Sequence, residues 1–457
     1  MVNNTKFARV LGSKDVIALA FGAMVGWGWV VLAGTMISNA GTGGTMLAFA
    51  IGGAAVIMIG LAYAELASAM PQNGGEHVYA HRALGPGASF FCTWAIILGY
   101  VSVVAFEAVA LPTVLEQIVP GYKAGLMYSI AGWDVYFTWA MVGIVGAIGM
   151  TWLNIRGVKA SAMFQAVITV LIIVVGIMLI SGSLFNGSSA NTEPLFVGGM
   201  GGVFSVIIMT PFLFVGFDVI PQAAEEIDLP YRKIGIILIV SVLMAVAWYI
   251  LIMYATGRAL DAEALAGTKL ATADAATAVL GGAWAGKLLV LAGLGGILTS
   301  WNAFLIGGSR AVYAMAEAKM LPAFLAKLHP TYKTPVNAIL LIGALSIVAP
   351  LFGRQAMVWL VDAGGLGIVV AYSMVALSFI VLRKKEPEME RPFRAGKGPW
   401  VGYVALILSL GLVLLYTPIA PSALLPIEWV LVGGWSAVGL AFYVYSRKVY
   451  GVVDIKH

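Results

Sequence analysis

The chain has 457 residues, of which 61% are hydrophobic and only 10% charged, with a mean hydropathy of +0.96. A soluble protein of this length carries about a quarter charged residues, so composition excludes a water-soluble fold and predicts a polytopic membrane protein. The net charge of +5 sits in short loops between apolar runs, which argues against nucleic-acid binding, and one cysteine, Cys92, excludes an intramolecular disulfide and a thiolate metal site.

Residues 1–15 are polar and basic, with Lys6, Arg9 and Lys14, and the apolar run behind them lacks the small-residue pattern of a cleaved signal. Span one is expected over 16–40. It contains Gly22-Ala-Met-Val-Gly-Trp-Gly28, and each of its three glycines weakens a helix by roughly 1 kcal/mol relative to alanine. Unwound backbone in a bilayer is tolerated only where it is buried in protein or lines a cavity. The interruption therefore predicts either half of a solute site, with free N–H groups for an anionic group, or a close helix–helix contact. Span two (44–69) ends in Tyr63-Ala-Glu65-Leu and stops at Pro71. The polar loop Pro71-Gln-Asn-Gly-Gly-Glu-His-Val-Tyr79 precedes Arg82, and span three (88–117) carries Glu107 well inside it. Spans four (134–153) and five (160–183) flank Asn154-Ile-Arg-Gly-Val-Lys159. Span six (200–222) contains Thr210-Pro-Phe-Leu-Phe-Val-Gly-Phe-Asp218, followed by an acidic–basic loop from Glu225 to Lys233. Spans seven (234–256) and eight (284–316) flank a polar loop rich in Ala, Asp and Thr. Spans nine (335–351), ten (357–382), eleven (400–419) and twelve (427–446) follow, with the most basic loop, Arg383 to Lys397, between ten and eleven. Each span is near the ~20 residues needed to cross the hydrocarbon core.

Twelve spans put both termini on one side. On that assignment 21 of the 26 lysines and arginines fall on the terminus side and 5 on the other, which predicts cytoplasmic termini, residues 1–15 and 447–457. Span one is broken between Gly22 and Gly28 and span six between Pro211 and Gly216. The two lie five spans apart, so a repeat of five spans would be inverted in the membrane. Interrupted segments at matching places in two halves point to a midplane binding site.

Four blocks carry a family resemblance: the glycine-interrupted first span, Tyr63-Ala-Glu-Leu with the loop behind it, Asn154-Ile-Arg-Gly-Val-Lys159, and Phe214-Val-Gly-Phe-Asp218 with Ala223-Ala-Glu-Glu-Ile227. In that order and at those spans the chain resembles the amino acid–polyamine–organocation superfamily of secondary transporters, and within it the amino-acid permeases. The resemblance covers roughly the first 320 residues best. It implies an all-α membrane protein with the leucine-transporter-like fold: a five-helix repeat over 16–183, a second, inverted one over 200–382, and two extra helices over 383–446. It further implies a substrate held between broken helices one and six, with helices three, eight and ten around it, and alternating access. The sequence departs from the family at Trp27, where relatives carry a small residue, often serine.

The resemblance implies that backbone groups around Ala23, Val25, Gly26, Trp27 and Gly28 take a substrate carboxylate and that span-six carbonyls near Phe214 and Val215 take its amine. It places Lys159 as a proton-coupling group against span-one carbonyls near Gly22 and the hydroxyls of Thr299 and Ser300; the alternative is a lysine reaching the interface. Read from position alone, Glu107 is too deep to reach water and is either a site residue or a structural contact. Asp218 is either a cap on unwound N–H groups or a substrate contact. Phe212, Phe214 and Phe217 bracket the span-six break as lid or packing residues, Phe212 and Phe214 being the gate candidates, and Asn302 offers an amide to the pocket. Glu65 is expected in a cytoplasmic-gate ion pair with Arg82 or Arg156.

No zinc-protease, phosphate-loop or nucleophile-elbow motif is present, and the four histidines, His77, His81, His329 and His457, fall in loops or at the terminus. His77 and His81 can share a helix face but lack a third metal ligand. The sequence therefore predicts no cofactor and no catalysis. The expected activity is proton-coupled uptake of a small or neutral amino acid, with an organic-amine transporter or amino acid–amine exchanger as the alternative. A transport-dead membrane sensor and a membrane-embedded enzyme have less support.

Overall fold

A computed structural model describes residues 7–451 except 131, 269, 355, 421 and 422. Lys6 and His457 lie outside the described residues. Ten described helices are long and apolar enough to cross a membrane: Ser13–Val31, Ala33–Ala69, Pro86–Ile118, Phe137–Ile155, Val158–Asn186, Gly199–Gln222, Tyr231–Ala259, Ala283–Glu317, Trp359–Lys385 and Pro426–Tyr450. They match spans one to eight, ten and twelve. At the places expected for spans nine and eleven stand the shorter apolar helices Val336–Phe352 and Trp400–Leu415.

Two local expectations are corrected. Span four begins at Phe137, not 134, because Leu126–Ile130 and Trp133–Tyr136 pair as an antiparallel hairpin, with Ile130 opposite Trp133. The hairpin is rich in aromatic and β-branched residues and turns through Gly132 at φ +77°, so strand pairing outcompetes helix there. The polar loop after span seven is not open coil either. It forms the helices Ala262–Gly267 and Ala271–Leu280, the first capped by Asp261, whose Oδ1 accepts from the Ala264 N–H at 2.9 Å.

The first span is interrupted as its glycines predict. Helix Ser13–Met24 ends, Val25 turns out of the helical conformation at φ −104° and ψ 57°, residues 25–27 form a bend, and the helix resumes as Gly28–Val31. Gly41, at φ +75°, then separates span one from span two within the run Ala33–Ala69. Span six is built from Gly199–Ile207, Thr210–Phe214 and Val219–Gln222, with residues 215–218 unwound. The two breaks touch: a Cβ on Gly216, which sits at φ +135°, would lie 2.6 Å from the Ala23 Cβ and 2.9 Å from the Met24 nitrogen. Only glycine permits both that backbone and that approach. Span three packs along spans ten and eight, and span two along span seven.

The end of the molecule that carries the described N-terminal residues is sewn shut. The amides of Val10 and Leu11 donate to the Glu226 carbonyl at 2.9 and 3.0 Å, and the Asp228 amide donates to the Leu11 carbonyl at 2.9 Å. The Arg9 guanidinium donates to the Ile227 carbonyl at 3.2 and 3.1 Å. These bonds fasten the start of span one to the turn that ends span six.

Candidate functional site

Between the two breaks lies a cavity of about 20 Å³, room for roughly one water molecule. Of the residues expected at the site, Ala23, Gly26, Trp27, Gly28, Glu107, Phe212, Val215 and Ser300 line it. The Val25 amide is spent in the last turn of its helix, donating to the Phe21 carbonyl at 2.9 Å. The amides of Gly26, Trp27 and Gly28 have no such bond among the described residues, so the free donors begin one residue later than the sequence suggested. Val215 lines the cavity from the span-six side, and its carbonyl, like that of Phe214 behind it, accepts no bond from a described residue beyond their own helix. Glu107, 2% exposed, stands beside Gly26 and is hydrogen-bonded to Ser300, while its Oε2 has no partner among the described residues.

The other expected residues lie behind this cavity. Asp218 is fully buried. Its Oδ1 accepts from the Gly216 amide at 2.7 Å and from the Tyr372 hydroxyl at 3.4 Å, and its Oδ2 accepts from the Tyr100 hydroxyl at 2.6 Å. It thus caps the unwound turn. Phe214 packs edge-on against Phe49 and Tyr249, and Phe217 against Tyr63. Asn302 faces span five, accepting from Ser161 Oγ at 2.6 Å and Asn154 Nδ2 at 3.0 Å, and donating to Gln165 Oε1 at 2.9 Å.

The expected contact between Lys159 and the span-one carbonyls is not made. Lys159 is exposed on the first turn of span five. Over Gly22 stand the Gln165 amide and the Thr169 hydroxyl, which would lie 2.6 and 2.7 Å from a Cβ there. Gln165 donates to the Ala18 carbonyl at 3.3 Å, Thr169 to the same carbonyl at 3.4 Å, and Thr299 to the Gly22 carbonyl at 3.0 Å. The reason is helical phase. Ser161, Gln165 and Thr169 recur every fourth residue and face inward, and residue 159 falls off that stripe.

A second cavity of about 600 Å³ opens toward the hairpin. Trp27, Phe106 and Phe212 line both cavities and so form the wall between them, with the Phe106 and Phe212 rings edge-to-face at 5.6 Å. On the opposite end the ion pairs differ from those expected. Glu65 pairs with Arg383, at 2.7 and 2.5 Å, and with Arg391, at 3.0 Å. Arg82 instead pairs with Glu386 at 2.6 Å, and Arg156 donates to the Tyr332 hydroxyl at 3.2 Å and stacks on Trp152. Arg383 reaches Glu65 from the last turn of the span-ten helix, and the loop behind it folds back over the end of span two, bringing Arg391 and the Ala395 amide, which donates to the carboxylate at 2.8 Å. A further buried pair, Arg310 with Glu226 at 2.7 and 3.1 Å, escaped the sequence reading. Its signal was an arginine within an apolar span.

Two hydrophobic helices that come apart against each other around a small polar cavity, within a bundle of at least ten such helices, define a membrane transporter. The chain belongs to the amino acid permease family, whose pattern matches residues 11–438. It is 28% identical over 454 residues to a branched-chain amino acid permease of Bacillus subtilis, covering 96% of this chain and 93% of the relative. It is 27% identical to a methylthioribose transporter of the same bacterium, covering 96% and 94%. An aspartate-proton symporter, also from Bacillus subtilis, is 26% identical over 86% of this chain and 76% of its own length. The family and these relatives are transporters, not enzymes. Three different cargoes at nearly equal identity mean that likeness alone selects none of them.

Proposed function

We propose that this protein is a secondary active importer that couples proton entry to the uptake of a small or neutral amino acid by alternating access. The observation that carries the reading is the placement of bare peptide groups from both breaks around one cavity. The free amides of Gly26 to Gly28 suit a carboxylate, and the span-six carbonyls near Phe214 and Val215 suit an ammonium. The architecture we infer has twelve spans, counting Val336–Phe352 and Trp400–Leu415, arranged as two inverted five-helix repeats, 16–183 and 200–382, plus two further helices. The distribution of Lys and Arg supports cytoplasmic termini in a cell membrane.

Glu107 is the carboxyl group that lines the central cavity, and with Lys159 outside it Glu107 takes the proton-coupling role. The same residue supports the alternative cargo. A carboxyl oxygen without a partner among the described residues, on a cavity that Trp27 also lines, suits an organic amine lacking a carboxylate. The test is thermal stabilisation of the purified protein by a panel of amino acids and amines, followed by uptake into liposomes with and without a pH gradient. A ligand at 100 times its Kd stabilises by roughly 2.7 kcal/mol. Glu107→Gln is expected to abolish the dependence of uptake on the gradient while downhill exchange persists. Gradient-driven accumulation at the parental level in that variant would remove the coupling role, and stabilisation by amines but by no amino acid would select the alternative.

A further inference from the structure

Span eight carries two glycines that the transport reading leaves unexplained. Gly293 and Gly296 lie inside the helix Ala283–Glu317, three residues apart and so on one face, and each weakens the helix that holds it. Neither stands at a positive φ, so the demand for glycine comes from what lies against them. A Cβ on Gly296 would lie 2.6 Å from the Gly26 carbonyl oxygen. A Cβ on Gly293 would collide with Cζ3 of the Trp27 indole, and would lie 2.7 Å from its Cε3 and 2.9 Å from Val30 Cγ2. One glycine receives the bare backbone of the span-one break. The other receives the six-membered ring of the next residue.

That seat fixes the indole. Trp27 is 4% exposed, and its carbonyl accepts from the Val30 and Val31 amides at 2.9 and 3.2 Å as the half-helix Gly28–Val31 begins. The half-helix is held in turn by the Thr272 hydroxyl, which donates to the Val30 carbonyl at 3.3 Å. Phe212, by contrast, is only half-buried, and its ring partner Phe106 stands on another span. The central cavity of about 20 Å³ is smaller than any amino acid, so a cargo needs one of the walls to give. Phe212 has the wide cavity on its other side and can turn into it. Behind the indole lies the span-eight backbone at Gly293, so the indole cannot retreat that way.

We propose that Trp27, seated on Gly293, sets the size of the cargo, admitting amino acids with the side chain of glycine, alanine or serine and refusing branched-chain and aromatic ones. The proposal rests on the transport reading above, in which the amides of Gly26 to Gly28 hold the carboxylate. In an α-amino acid the side chain and the carboxylate share one carbon. A carboxylate on those amides therefore brings the cargo's side chain within reach of the indole carried by the middle one. A wall that cannot move turns each added methylene into a steric cost.

The test is uptake of L-alanine and L-leucine by the full chain in liposomes, compared as kcat/KM. One methylene in an apolar pocket changes that quantity about 10–200-fold, so the parent is expected to favour alanine by at least about tenfold. Trp27→Ala is expected to move the ratio toward leucine by about tenfold or more. Trp27→Phe, which keeps one ring of the two, is expected to move it less. Gly293→Ala pushes the indole off its seat and is expected to depress alanine uptake in the parent, and far less in the Trp27→Ala background. Parent uptake of leucine equal to that of alanine overturns the proposal, as does a ratio unmoved in whichever Trp27 variant folds. Loss of both cargoes in equal proportion also overturns it, since a merely structural indole would give that result. Absence of uptake of any amino acid by the parent removes the transport reading and this proposal with it, whereas uptake with an unmoved ratio removes the size filter alone.

Discussion

The two ends of the molecule are closed by different physics. The end bearing the N-terminal residues is held by buried ion pairs, Glu65 with Arg383 and Arg391, and Glu226 with Arg310, reinforced by backbone bonds from the strap at residues 9–11. The hairpin end has a wide cavity whose floor is three aromatic rings. An aromatic pair is worth about 0.5–1.5 kcal/mol beyond its area, whereas stranding one partner of a buried ion pair costs about 3–5 kcal/mol. Opening toward the hairpin is therefore cheap, and opening the other way requires the charged groups to separate or be rehydrated together.

The largest expected effect breaks the charged end. Arg310→Met strands Glu226 in a buried setting and is expected to lower the stability of the purified protein by about 3–5 kcal/mol, read from thermal or denaturant unfolding. Arg310→Met combined with Glu226→Leu is expected to recover most of that loss, because no lone charge remains. A double variant as unstable as the single one would show that the pair is not the closing element. Next in size is Gly216→Ala. The added methyl must fit at φ +135° and 2.6 Å from the Ala23 Cβ, so the breaks move apart or the turn refolds. Strain of about 1–3 kcal/mol is expected in the folded protein, with uptake lost out of proportion to stability. Phe212→Ala should act in the opposite sense and more mildly. Removing one ring of the floor costs the Phe106 contact, about 0.5–1.5 kcal/mol beyond lost area, and makes the central cavity reachable from the hairpin side. Thiol reagents applied from that side to a Ser300→Cys reporter are expected to react faster in the Phe212→Ala background.

The helix breaks were legible because their causes are local. Glycines at 22, 26 and 28 and Pro211 with Gly216 interrupt apolar runs, and no distant residue is needed to see it. The pairing of charges was not legible, because Glu65 and Arg383 are 318 positions apart and only the packing of span ten and the loop behind it decides which base arrives. The hairpin before span four was lost to the apolar run that continues into the helix, since short apolar stretches do not separate strand from helix by periodicity alone. Of the residues expected around the breaks, Ala23, Gly26, Trp27, Gly28, Phe212 and Val215 line the cavity, whereas Phe214, Phe217, Asp218 and Asn302 do not. Which way a side chain faces beyond a break depends on how the broken segment is rotated, and that is set by packing partners such as Tyr100 and Tyr249.

The smallest expected effect sharpens the same comparison at span five. Lys159→Ala removes an exposed ammonium with no described partner role at Gly22, so stability is expected to stay within about 0.5 kcal/mol of the parent. Gradient-driven uptake is expected to persist. Gln165→Ala, six residues on, removes a buried amide that both donates to the Ala18 carbonyl and accepts from Asn302; Thr169 and the Ser161 carbonyl remain as the second partners of those groups, so a loss of about 1–3 kcal/mol in all is expected. Uptake assayed side by side in the two variants decides which residue serves the span-one backbone. Should Lys159→Ala abolish gradient dependence while Gln165→Ala leaves it intact, the lysine must swing inward during the cycle, and the neutral clamp over Gly22 is then only one of its two arrangements.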